Sequence, residues 1–233
     1  MTVPNPLFVV CPSGRNPDGL ATIIELGISD ADVAATIVVG TGPGASDAVS
    51  YPGDRVAVLH SDARNYQTWV NLGWSFAAAM VPAGPYDLVI VNDDVVVIPG
   101  SFGRLGRALR SGDWHIVGAD HTWRTTDGTA HAEHVRAVSG TYRSGGIPGW
   151  CFAVRGELAR RGCLLDGGMD EQFEWYYGDD DLVRRVETSG GHVGIAEHVP
   201  VDHHHEFSAS QVDWPHHAKS RDAVRYHAKW AGR

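Results

Sequence analysis

Tyr86-Asp87-Leu88-Val89-Ile90-Val91-Asn92-Asp93-Asp94-Val95-Val96-Val97-Ile98-Pro99 is the stretch whose reading decides the fold. Leu88–Val91 is an unbroken apolar run rich in β-branched residues, which predicts a strand buried on both faces of an α/β sheet. The run stops at Asn92-Asp93-Asp94, apolar residues resume, and Pro99-Gly100 closes the segment. Adjacent carboxylates at the carboxyl end of a buried strand are costly unless a positive group sits beside them. That end is also where open α/β sheets bind ligands. One reading meets both conditions: a divalent cation held by Asp94, with help from Asp93 or Asn92, bridging to a phosphorylated substrate. The bland alternative is a polar turn that caps the strand.

Working outward, Leu7–Cys11 reads as a short apolar strand entering a turn-rich loop, Pro12-Ser13-Gly14-Arg15-Asn16-Pro17. Gly19–Leu26 has helical spacing, and Thr36–Val39 is a second buried strand ending in Gly40-Thr41-Gly42-Pro43-Gly44. That loop lacks the Lys of a P-loop and the dinucleotide fingerprint, so it reads as a flexible connection beside a nucleotide. Arg55–His60 predicts a third strand. Asn65–Met80 predicts a helix with Trp69, Gly73, Phe76 and Met80 on one face. Downstream, Phe102–Leu109 is an amphipathic helix and Trp114–Gly118 another strand. This alternation predicts an α/β fold with a mostly parallel central sheet flanked by helices.

The stretch Ala119–Gly146, rich in His, Thr, Gly and Arg, has little apolar periodicity and reads as a long active-site loop or a small hairpin. Order returns at Gly149-Trp150-Cys151-Phe152-Ala153-Val154-Arg155, a strand opening on an aromatic, and Glu157–Arg161 is a short helix. In Gly178-Asp179-Asp180-Asp181-Leu182, carboxylates open a helix whose face is Leu182, Val183 and Val186. The helix dipole accounts for one or two such aspartates; three in a row point to chemistry for at least one. Asp181 is expected on the first-turn amides, with Asp180 assisting a neighbour. His192–Ile195 and His198–Val201 read as strand segments leading to His203-His204-His205. In an extended chain His203 and His205 point the same way, so one of the two is placed to complete a metal site begun by Asp94. A tail helix, Arg221–Trp230, aligns Val224, His227 and Trp230 for packing on the domain edge.

Composition narrows the function. With 233 residues, 43% hydrophobic and 20% charged, and with no linker, the chain reads as a single domain with a real core. A net charge of −9 argues against non-specific nucleic-acid binding. The three cysteines, Cys11, Cys151 and Cys163, are scattered and lack zinc spacing, so neither a disulfide framework nor a thiolate site is indicated. No segment has the apolar length to span a bilayer and Met1–Pro6 has no leader character, so a soluble, cytoplasmic protein without membrane insertion is expected.

Taken in this order, the pieces resemble family 2-type glycosyltransferases of the GT-A fold, from Leu7 to about Ser208. The resemblance rests on Val9-Val10-Cys11-Pro12-Ser13 with Arg15, and on Asn71-Leu72-Gly73 ahead of a small-residue helix. It rests further on Asp87 to Asp94, similar to the Asp-x-Asp metal motif, and on Gly149-Trp150 through Arg155, similar to the strand opening the acceptor half. Gly178-Asp179-Asp180-Asp181-Leu182, similar to the acidic motif of inverting members and followed by a His, completes it. The sequence departs from the pattern in three places. Asn92 stands where many relatives carry Asp, so Asp94 bears more of the cation. Gly178 stands where Glu is common. No acidic residue closes the second strand, where Thr41 or Asp62 is expected to serve the base of the nucleotide.

The resemblance implies a nucleotide-binding half over residues 1–100, an acceptor half over 101–208 and a tail. It implies transfer of a sugar from a nucleotide-sugar, most simply a UDP-sugar, to an acceptor hydroxyl, with Mn²⁺ or Mg²⁺ held by Asp94 and His203 or His205. Asp179, assisted by Asp180, is implied as the base of an inverting reaction. Pro12, Ser13, Arg15, Thr41, Asp62, Asn71, Asn92 and Asp93 are implied around the nucleotide. Trp150, beside Gly149, is either an acceptor platform or a core residue. Acceptor glycan, protein, small molecule or modified base are all compatible. The rival readings are a nucleotidyltransferase on a related fold, a retaining transferase, and a binding module with a dead site.

Overall fold

A computed structural model describes residues 4–13, 16–40, 54–120, 134–141, 146–159, 168–203 and 214–232. In chain order the elements are β1 (Leu7–Pro12), α1 (Pro17–Ser29), β2 (Val33–Gly40), β3 (Val56–His60), α2 (Tyr66–Met80), β4 (Asp87–Val91) and β5 (Val95–Val97). They continue with α3 (Ser101–Arg110), β6 (Trp114–Asp120), β7 (His134–Ala137), β8 (Cys151–Arg155), α4 (Gly178–Thr188), β9 (His192–His203) and α5 (Trp214–Trp230). The strand order is β3-β2-β1-β4-β8-β6-β9-β5, with β7 pairing onto β9. The amino-terminal part of the sheet, β1 to β4, is parallel throughout. Beyond it β8 runs antiparallel between β4 and β6, and β9 is parallel to β6 but antiparallel to β5 and β7. The sheet is therefore a large mixed one flanked by helices.

Strand alternation explains why both faces are covered. Leu7, Val9 and Cys11 of β1 join Val89 and Val91 of β4 in one core with Leu20, Ile23 and Ile24 of α1 and Phe102, Leu105 and Leu109 of α3. Phe8 and Val10, with Leu88 and Ile90, face the other way against Trp69, Val70 and Trp74 of α2 and Leu182, Val183 and Val186 of α4. Helix starts are set by local chemistry. Asn16 caps α1 by accepting from Gly19 N at 3.1 Å, and Asn65 caps α2 by accepting from Thr68 N at 3.0 Å.

Three expectations change. The buried face of α2 is Trp69, Val70, Gly73, Trp74 and Ala77, while Met80 is 46% exposed. Trp74, whose ring N–H reaches the Gly156 carbonyl at 3.3 Å, draws that flank inward. In α5, Val224 is 70% exposed rather than aligned with Trp230. The docked stripe instead runs through Ala218, the fully buried Asp222, Lys229 and Trp230, and its central charge hides it from an apolar-periodicity reading. Within 119–146, Ala119 and Asp120 belong to β6 and His134–Ala137 pair with β9. Residues 121–133 and 142–145, the rest of the expected loop or hairpin, lie outside the described residues.

Cys11 and Cys151 are buried free thiols, and burial pushes the Cys151 thiol up to about 12; Cys163 lies outside the described residues. No helix among the described residues is long and apolar enough to cross a membrane.

Candidate active site

The carboxyl end of β4 is where the elements converge. Asn92-Asp93-Asp94 form the turn between β4 and β5, and Asn92 N donates to the Trp150 carbonyl at 3.0 Å, fixing the turn beside the start of β8. Asp93, 2% exposed, faces the loop after β1. It accepts from Ser13 Oγ at 3.0 Å and from Asn16 N at 3.3 Å, while Asn16 Nδ2 donates to its carbonyl at 2.7 Å. Asp93 therefore shapes the loop expected to border the nucleotide. Pro12 and Ser13 end β1 beside it; Arg15 and Thr41 lie outside the described residues.

Asp94 turns the other way. Its Oδ1 lies 3.2 Å from His203 Nε2, with the two side chains 5% and 12% exposed. The pairing of Val95 with His203 in the β5–β9 ladder brings them together. His203 also stacks on Trp150, ring centroids 4.7 Å apart and planes 12° from parallel. One face of Trp150 is thus taken by the imidazole, and the indole also packs against the core. His205 lies outside the described residues.

No group of three or more His, Cys, Asp or Glu suited to a metal occurs among the described residues. A Mg²⁺-like cation does not require one: it keeps waters and takes one or two carboxylates plus substrate phosphates. Asp94 and His203, 3.2 Å apart, match the ~3 Å between neighbouring ligands of an octahedral ion with ~2.1 Å bonds. The residues fit a two-ligand site completed by substrate.

Asp179 stands against Gly149: a Cβ built there would fall 1.8 Å from Asp179 Oδ2, so the carboxylate occupies the place a side chain would take. Helix α4 enters through Tyr177 (φ 65°), the one non-glycine residue with positive φ among the described residues, which puts backbone strain two residues before Asp179. Gly178 is equally constrained: a Cβ there would meet the Gln67 amide carbon at 2.2 Å, which explains the missing Glu.

Tyr66, the first residue of α2, is near both acidic groups. Its hydroxyl donates to Asn92 Oδ1 at 2.7 Å. Burial, then the charge of Asp179, and after it Cys11, Asp94 and Asp93, push the phenol well above its usual range. Sequence reasoning missed Tyr66. The only local signal was the Asn65 cap that precedes it.

Other expected residues stand elsewhere. Asn71 holds the 168–171 segment, exchanging bonds with Met169 N and O at 2.8 Å each and donating to Glu171 at 2.8 Å. Asp62 is exposed after β3. Asp180 accepts from the Thr141 hydroxyl, on another flank of α4 from Asp179. Asp181 departs from the expected first-turn capping. It is fully buried and pairs with Arg185 at 2.7 Å and Lys229 at 2.7 Å, and it accepts from Trp230 Nε1 at 2.9 Å. With two cations and an indole N–H at hand, the carboxylate faces α5 instead of the amides of its own helix.

No protein-family model matches the chain, and no curated protein matches it in sequence. Solved structures do. A crystal structure of S. aureus TarS superposes with a TM-score of 0.62 at 8% identity, over 95% of this chain and 43% of that chain. A second, of S. aureus TarS 1-349, gives a TM-score of 0.57 at 9% identity, over 82% of this chain and 57% of that one. The chain thus spans about half the length of the solved proteins it matches. At these identities the likeness shows the fold alone, a large mixed α/β sheet flanked by helices.

Proposed function

We propose that this protein is a metal-dependent glycosyltransferase that moves a sugar from a nucleotide-sugar, a UDP-sugar, to an acceptor hydroxyl with inversion at the anomeric carbon. The observation that carries the reading is that two separate acidic groups gather near Tyr66: Asp94 paired with His203 at the end of β4, and Asp179 against Gly149 at the start of α4. A transferase needs both, because one acidic group must face the diphosphate and another the attacking hydroxyl. The glycosyltransferase-like fold agrees with it.

In this reading Asp179 takes the proton of the acceptor hydroxyl, a role worth ~10²–10⁴-fold in rate. Pro12, Ser13 and Asn16, tied down by Asp93, border the nucleotide. Asp94 and His203 hold Mn²⁺ or Mg²⁺. When bound, the cation neutralises the diphosphate as a Lewis acid. Tyr66 holds Asn92.

UDP affinity measured by calorimetry in Mn²⁺ and in chelator, for wild type and Asp94→Ala, tests the donor side. Strong binding is expected only in wild type with Mn²⁺, and equal affinity in all four conditions would refute the metal bridge. The anomeric configuration of the product, read by NMR, tests the stereochemistry. Retention would exclude Asp179 as the base of an inverting displacement.

A further inference from the structure

Helix α4 presents a second chemical surface that the transfer site does not use. On the neighbouring flank, about 100° round the helix from Asp179, Asp180, Arg184 and Glu187 line a cavity of about 370 Å³ that Gly140, Thr141 and Tyr226 of α5 also line. This lies at the small end of the ~300–1,000 Å³ typical of small-molecule sites.

The behaviour of Arg184 is the informative feature. Asp180 is four residues before it and Glu187 three after it, the spacings at which helical ion pairs form. Arg184 makes neither pair. Its guanidinium lies 4.6 Å from the Trp230 ring centroid and 5.9 Å from that of Tyr226, and it donates to no acceptor among the described residues. The carboxylates are occupied only in part. Asp180 accepts from the Thr141 hydroxyl, and Glu187 accepts from Gly140 N at 2.9 Å. A carboxylate offers roughly four lone-pair sites, so each retains capacity.

We infer that this cavity is a binding pocket for a neutral sugar, the acceptor-side subsite of a glycan. The groups select the class. A free anion meets two carboxylates and a free cation meets a guanidinium, whereas a hydroxyl both donates and accepts and so serves either. Asp180 and Glu187 stand two helical turns apart, about 10 Å along the axis, and Tyr226 lines the same cavity with an aromatic ring, the kind of group that meets the C–H face of a sugar. Asp180 follows Asp179 directly, so a glycan seated here has its next unit near the base. As an acceptor subsite the pocket rests on the transferase reading; as a sugar pocket it does not.

Saturation-transfer NMR with maltose, lactose and N,N′-diacetylchitobiose, each without donor or metal, tests it on wild type, Arg184→Gln and Asp180→Asn. At least one disaccharide is expected to bind wild type, and both variants to bind it about tenfold more weakly, the effect of losing one charged hydrogen bond. Glu187→Gln replaces either variant if its circular dichroism shows misfolding. No transfer from any of the three at millimolar concentration, or unchanged affinity in either folded variant, overturns the proposal. So does a response to spermidine or inorganic phosphate alone. Failure here with UDP–Mn²⁺ binding intact would remove the pocket and leave the donor reading. The reverse result would remove the donor reading alone.

Discussion

Gly149 and Asp179 show how little space separates a working carboxylate from a misplaced one. With Asp179 Oδ2 lying 1.8 Å from where a Cβ would stand, Gly149→Ala must displace the carboxylate or the backbone beneath it. Turnover of UDP-sugar, followed as UDP release, is expected to fall at least about a hundredfold, the scale of losing a general base. UDP affinity should stay within a few-fold, because Asp94 and His203 are untouched. Asp179→Asn, which keeps size and removes basicity, should give the same split between turnover and affinity. Near-normal turnover in Asp179→Asn would overturn the assignment. Tyr66 belongs to the same scale: one hydroxyl, held at 2.7 Å from Asn92, links the start of α2 to the end of β4.

Among the elements, α5 has the most to do with keeping Asp179 in place. Its Asp222, fully buried, accepts from Glu174 N at 3.1 Å, Trp175 N at 2.9 Å and Tyr176 N at 3.0 Å, gripping the backbone that leads into α4. Asp222→Ala strands these amides and removes one of the two carboxylate partners of Arg225, leaving Glu174. A loss of about 3–5 kcal/mol is expected, the usual result of breaking a buried charged network, and urea unfolding measures it. The same junction responds to acid. The hydrogen bond from Arg221, with further help from Arg225, holds the Glu174 carboxyl below its ordinary range. The folded state therefore binds fewer protons than the unfolded one, so the contribution is complete above the ordinary Glu value of ~4.3 and lost as pH falls through the depressed one. Amide exchange in α5 should accelerate across that window in wild type and respond less in Glu174→Gln. An identical pH response in both would refute the linkage.

At the scale of the whole molecule, sheet order assembles the site. Strand β4 sits between β1 and β8, so the loop after β1, the turn after β4 and Gly149-Trp150 before β8 all open at one edge. The long strand β9 leaves its ladder with β6 to pair with β5, which delivers His203 to Asp94. Helix α4 packs on the face shared with α2, so Asp179 and Tyr66 enter from that side. Residues far apart in the chain, Ser13 with Asp93, Asp94 with His203 and Gly149 with Asp179, thus come within a few ångströms of one another.

The sequence by itself determined whatever depends on near neighbours. The strand at Leu88–Val91, its acidic end, the acidic start of α4 and the alternation that turns His203 inward are all local patterns of period or terminus chemistry. The α/β class followed from them. Tertiary structure alone decided which polar groups meet. Asp93 serves the Ser13–Asn16 loop while Asp94 meets His203, although the two are adjacent and chemically identical. Likewise Asp179 faces Gly149, Asp180 faces Thr141 and Asp181 faces Lys229 and Trp230. Successive helical residues diverge by about 100°, so three identical side chains reach three different surroundings. What lies there is set by strand order and by the docking of α5, both long-range packing outcomes that no local pattern encodes.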